Sequence, residues 1–100
     1  MLVTFRNRKL EKCYVKHKHA IRAWGDAVAR KYVERINLIQ VAADLEELCR
    51  LPALRCHPLK GDRKGQYAIS LRGFYRLIFT LQGENLGIVC IEEVSKHYDD

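Results

Sequence analysis

One hundred residues, 48% hydrophobic and 30% charged, suit one compact soluble domain (residues 1–100) and exclude an intrinsically disordered chain. No apolar run approaches the ~20 residues of a membrane span, so no membrane is expected as a partner. The net charge of +6 is concentrated, Lys and Arg outnumbering Asp and Glu by 10 to 3 over residues 1–35 and by 6 to 1 over residues 55–76, which draws the chain towards polyanions.

Leu2 to Phe5 is a short apolar run that reads as a strand in need of a sheet. Asn7 is placed to cap a helix in which Leu10, Tyr14, His17, Ile21 and Trp24 recur at steps of four and three. Lys9, Lys12, Lys16 and Lys18 surround that stripe, giving a basic amphipathic helix that fits a polyanion or a merely solvated face equally well. His17 and His19, two apart, point to different sides, so a metal site is not expected. Gly25-Asp26 interrupts the pattern, with Asp26 as N-cap of a second helix. Its stripe is Ala29, Tyr32, Val33, Ile36, Ile39 and Ala43, with Arg30, Lys31, Glu34 and Arg35 mainly off it. Asp44 to Leu48 reads as a restarted short helix with a capping box, Asp44 bonding ahead and Glu47 reaching back, and Pro52 ends it.

Ala53 to Gly65 is a loop punctuated by Pro58, Gly61 and Gly65. Gln66 to Leu71 alternates, with Tyr67, Ile69 and Leu71 on one face, and Arg72-Gly73 fits a hairpin turn into a strand over Phe74 to Leu81. That second strand is apolar on both sides apart from Tyr75, Arg76 and Thr80, the pattern of a central strand. Gln82 to Asn85 turns the chain again, and Leu86 to Val94 makes the last strand. The order β-α-α-β-β-β implies an α+β fold, with two main helices on one face of a small, mostly antiparallel sheet and the other face free. Cys13, Cys49, Cys56 and Cys90 show no metal-ligand spacing and read as reduced thiols of a cytoplasmic protein, a Cys49–Cys56 disulfide remaining open.

The run His57 to Gly65 (HPLKGDRKG), the Tyr-x-Ile-x-Leu strand after it and Phe-Tyr-Arg-Leu-Ile-Phe at residues 74–79 resemble the RelE/HigB branch of toxin–antitoxin toxins. The resemblance extends upstream over Val33 to Leu51 and downstream to Lys96-His97-Tyr98, and so covers nearly the whole chain. It implies the RelE/ParE-like fold and a ribosome-dependent mRNA endonuclease without metal or other cofactor. It also implies a cognate antitoxin, usually DNA-binding, alongside the ribosome and mRNA as partners. Two other readings stay open: a ParE-like inhibitor of DNA gyrase, and a module that binds the antitoxin without catalysis.

A metal-free ribonuclease must remove the 2′-hydroxyl proton, stabilise charge on the phosphoryl group and protonate the departing 5′-oxygen. Carried over residue by residue, the family's loop lysine is Lys60, its strand arginine is Arg76 and its final histidine is His97. Ser95-Lys96 stand where the pattern has Asp-Tyr, and Tyr98 is the substitute. Histidine transfers protons in either direction near neutral pH, which suits His97 to the acid or base role. Arg63, Lys64 and Arg72 are expected to bind RNA phosphates, Gly61 and Gly65 to admit backbone amides, and Tyr75 to stack on a base. For Arg76 the structural alternative is an ion pair with Glu92 or Glu93, and for the loop an ordinary basic turn.

Overall fold

The structure is a computed structural model and describes residues 1–96. Five strands and four helices follow in the order β1 (Leu2–Phe5), α1 (Arg8–Val15), α2 (His17–Trp24), α3 (Asp26–Val41), α4 (Leu45–Cys49), β2 (His57–Pro58), β3 (Gln66–Ser70), β4 (Tyr75–Gln82) and β5 (Ile88–Lys96). Single 3₁₀ turns flank β2, at Pro52–Leu54 and Gly61–Arg63. The sheet order is β1-β5-β4-β3-β2, with β1 parallel to β5 and every other pair antiparallel. The mostly antiparallel α+β expectation holds, and β4 is the central strand.

The first expected helix is two. Lys16 is extended (φ −118°, ψ 103°), closing α1 through its N–H to Lys12 O and opening α2 through its carbonyl to His19 N–H. A continuous helix would bury His17, whose desolvation is unfavourable. The break turns His17 out to solvent, 3.6 Å from Asp26, and sets Ala20 into the core instead. Gly25 then joins α2 to α3 at φ 86°, a left-handed conformation that glycine adopts without a Cβ clash, so Gly25 and not Asp26 is the N-cap.

The core lies between the helices and one sheet face. Ala29, Tyr32, Ile36 and Ile39 of α3 meet Leu77 and Phe79 of β4 and Val89 and Ile91 of β5. Tyr32 ties three helices together: its hydroxyl donates to Leu10 O of α1 (2.7 Å) and its ring meets Trp24 of α2 at 4.7 Å. Ala43, expected on the stripe, is exposed; Arg35, expected off it, is only 6% exposed. The Arg35 Nε–H donates to Ser70 O on β3 (3.0 Å) and Nη1 pairs with Glu34, so the buried cation is hydrogen-bonded on both sides.

The opposite sheet face is not bare. Ala68, Ile78 and Cys90 are buried there under polar side chains. Opposite Ile78 and Phe79 the β5 register shifts, pairing Phe79 with Ile91 and Ile78 with Glu93, so Glu92 is the extra residue of a bulge. Strict alternation would send one of two adjacent glutamates into the core; the bulge keeps both on the open face. Glu92 there accepts from Thr80 Oγ1 (2.8 Å) and pairs with Arg6, and Glu93 pairs with Arg63.

Among the cysteines, Cys13 and Cys90 are free and buried, as a small core residue should be, and burial is the chief cause holding both thiols above their ordinary pKa. Cys49 and Cys56 depart from the reduced reading. They are joined as a disulfide, their Cα atoms 5.1 Å apart. Among the described residues no helix is long and apolar enough to cross a membrane.

Candidate active site

The stretch expected as loop contains a strand. His57 pairs with Ala68, and Pro58 with Tyr67, which adds β2 to the sheet beside β3. Ala68 in turn faces Ile78 across β4, so His57, Ala68 and Ile78 form one row on the open face, and Arg76 lies two residues along β4 from that row. Arg55, Cys56, His57 and Arg76 line a cleft of about 380 Å³ at this end of the sheet.

Two features set the chemistry of that cleft. Arg55 is left-handed (φ 49°), and its carbonyl lies 2.8 Å from His57 Nδ1. A carbonyl only accepts, so Nδ1 carries the proton and Nε2 is the basic nitrogen of the neutral ring. Nε2 is enclosed and has no hydrogen-bond partner among the described residues. Arg76, for its part, is anchored on the central strand, Nη1 donating to Gly73 O (3.0 Å) and Tyr75 O (2.9 Å), which fixes the guanidinium at the hairpin base. Glu92 and Glu93, its expected ion-pair candidates, hold Arg6 and Arg63. A fixed cation beside a histidine with one committed nitrogen can hold an anionic ester, and the ring can take a proton from a neighbouring hydroxyl once Nε2 is uncovered.

The other expected residues are distributed around this cleft. Lys60 and Lys64 belong to a second hollow of about 470 Å³, with Leu59 and Tyr67, at the outer edge of the sheet. Arg63 bonds Gln66 Oε1 (2.8 Å) and Glu93, standing over the open face. Arg72 is exposed in the β3–β4 turn. Tyr75 alternates with Arg76 and so packs towards the helices, with Lys96 Nζ 5.6 Å from its ring centroid. Gly61 (φ 65°) opens the 3₁₀ turn and, with Gly65, lines the second hollow. His97 and Tyr98 lie outside the described residues.

His57 is the residue that sequence reasoning passed over. Its importance comes from pairing with Ala68, eleven residues away, and no local pattern carries that; the only signal was a histidine next to the basic loop. A second feature is a groove of about 530 Å³ between α1 and α2, lined by Arg8, Lys9, Lys12, His19 and Arg22 over Cys13 and Ala23; the sequence showed the basic helix but not its break at Lys16, which forms the groove. Desolvation, then Arg22 and the neighbouring lysines, lowers the His19 pKa, as expected where cations crowd without a counter-ion.

The open-faced five-stranded sheet backed by helices is the fold of the RelE/ParE-superfamily toxins. A YoeB/ParE toxin from Agrobacterium tumefaciens superposes with a TM-score of 0.59 at 17% identity, over 98% of this chain and 100% of that one. YafQ from E. coli gives 0.59 at 19% identity over 95% and 91%, and the YoeB–YefM complex from Staphylococcus aureus gives 0.54 at 20% over 98% and 99%. In sequence, the chain is 39% identical over 46 residues to Endoribonuclease HigB of Proteus vulgaris. That match spans 46% of this chain and about half (49%) of the relative. No family model matches the sequence.

Proposed function

We propose that the chain is the toxin of a toxin–antitoxin pair, an endoribonuclease that cuts mRNA on the ribosome with side chains alone. The observation that carries this reading is the cleft in which His57, its Nδ1 proton committed to Arg55 O, stands beside Arg76 on the central strand. RNA binding uncovers Nε2, which takes the 2′-hydroxyl proton, and the oxygen attacks the adjacent phosphorus. The charge that builds on the non-bridging oxygens is met by Arg76, held in place before the reaction begins, with Arg55 also lining the cleft. The 5′-oxygen leaves with a proton, a role the family resemblance gives to His97, with Tyr98 in support. Products are a 2′,3′-cyclic phosphate and a free 5′-hydroxyl.

The remaining basic residues are read as RNA contacts. Lys60 and Lys64 hold flanking phosphates at the outer hollow, Arg63 and Arg72 track the backbone across the open face, and the α1–α2 groove docks on ribosomal RNA. Tyr75 is left a stacking role only at its exposed edge. The reading is supported by the name of the relative from Proteus vulgaris, an endoribonuclease, and by a fold neighbour solved in a complex with YefM. A cognate antitoxin and a cytoplasmic location belong to the same reading.

Primer extension on a reporter mRNA in a reconstituted translation system tests it. The wild-type chain cuts translated message, and His57→Ala slows cleavage by roughly 10²–10⁴-fold, the usual effect of losing one general base. If His57→Ala cuts as fast as wild type, the cleft is not the active site. If the wild type leaves translated message intact, the nuclease reading is wrong, and gyrase inhibition or antitoxin binding alone takes its place.

A further inference from the structure

The disulfide closes on the cleft itself. Cys49 ends α4 and is exposed; Cys56 is half-buried, lines the cleft and directly precedes His57. Their Cα separation of 5.1 Å lies within the range a disulfide spans without moving backbone. Between them run only six residues, of which Leu54 is buried and Arg55 is left-handed. Arg55 supplies the carbonyl that commits His57 Nδ1. The bond therefore anchors both ends of the segment that sets the histidine, and nothing in the catalytic reading uses it.

We propose that Cys49 and Cys56 are a reversible thiol–disulfide modification site that sets the His57 ring, closed by a low-molecular-weight disulfide and opened by a small thiol. The consequence for activity rests on the reading of the cleft as the nuclease site. The exchange balances as two cysteine thiols plus one small disulfide giving the intramolecular disulfide and two small thiols. The exposed Cys49 thiolate attacks first, displacing one small thiol and forming a mixed disulfide. The Cys56 thiolate then attacks Cys49 Sγ, and the second small thiol leaves, taking up the proton. Cys13 and Cys90 do not compete, because both are buried within the fold. Closed, the segment holds Arg55 O on Nδ1; opened, Arg50 and Leu51 stay bonded to α4 and Leu54 stays buried, but Cys56 is no longer tethered and the ring samples both tautomers.

The test equilibrates the full-length protein in reduced-to-oxidised glutathione buffers and reads three signals. Alkylation in denaturant with mass spectrometry counts thiols: four in the reduced protein, two in the oxidised, with Cys49 and Cys56 the protected pair. A long-range ¹H–¹⁵N spectrum of the histidine rings reads His57 directly, one fixed Nδ1–H tautomer when oxidised and an averaged one when reduced. Cleavage of translated message falls about tenfold on reduction, and Cys49→Ser is slow at every buffer ratio. Four alkylated thiols at every ratio overturn the proposal, as does a paired state whose His57 spectrum matches that of the reduced protein. If the thiols pair and the spectrum changes but neither state cuts, the modification site stands and the nuclease reading falls. If both states cut equally fast, the control of activity is overturned.

Discussion

Tyr32→Phe isolates one buried hydroxyl. The ring stays against Trp24, and only the bond from the hydroxyl to Leu10 O (2.7 Å) is removed, leaving that carbonyl short of a partner. At neutral pH the variant is less stable by about 1–3 kcal/mol. Desolvation first, and the neighbouring Cys13 second, hold the phenol pKa far above its ordinary value of 10.0 in the folded state. A group whose folded pKa is raised gives stability that is whole below its unfolded pKa and is lost above it, so the wild type pays about 1.4 kcal/mol per pH unit beyond roughly pH 10 while the phenylalanine variant does not. The two stabilities therefore converge and cross roughly between pH 11 and 12. Urea unfolding of both chains at pH 7, 9, 10.5 and 11.5 measures this, and every other titrating group cancels in the difference. A gap that stays constant from pH 9 to pH 11.5 would mean that the phenol ionises as freely in the fold as outside it, and the buried-hydroxyl account would be wrong.

Arg35→Ala removes the cation that bonds Ser70 O and leaves space beneath the β3–β4 hairpin; it costs about 2–4 kcal/mol, and thermal unfolding shows a midpoint lower by roughly 10 °C or more. Asp44→Ala deletes the bond from Glu47 N–H to Asp44 Oδ1 (2.9 Å) that caps α4, costing about 1 kcal/mol, or roughly 4–8 °C by the same assay. In the α1–α2 groove, Lys9→Ala with Lys12→Ala weakens binding to single-stranded RNA, and the slope of log K against log salt becomes shallower by about 1.4. An unchanged slope in fluorescence titrations would remove the groove from the RNA path.

Local chemistry made some of this architecture readable. Asn7 capping Leu10 N–H (2.9 Å), Asp44 capping Glu47, the α3 stripe and the turn at Arg72-Gly73 are short-range features that a few residues determine. Glu47 does reach back, but to Ala43 N–H and not to Asp44. Elsewhere the deciding interactions are distant. Lys16 breaks a periodic helix because Ala20 fits against α3 better than His17 does. Arg35 is buried because a carbonyl 35 residues on needs a donor. The β5 bulge answers to two glutamates that must share one face. In the site, alternation alone put Arg76 and Tyr75 on opposite faces, whereas β2 exists only because β3 is there to pair with it.

That difference also explains how the cleft is built. Arg76 sits on the central strand, hydrogen-bonded on both edges, and its position is set by the whole sheet. His57 sits on an edge strand of two residues, with a single ladder to β3 and the bond from Leu59 N–H to Gln66 O (2.8 Å) just beyond it. A cleavage site requires both groups to be placed within a fraction of an ångström. The cation meets that requirement through the fold, but the base depends on the few contacts of the segment before it: the buried Leu54, the carbonyl of Arg55 and the Cys49–Cys56 bond. Substitutions at the exposed or half-exposed Arg55 and His57 should therefore change activity far more than stability, whereas those at Leu54 and along β4 and α3 should change both together.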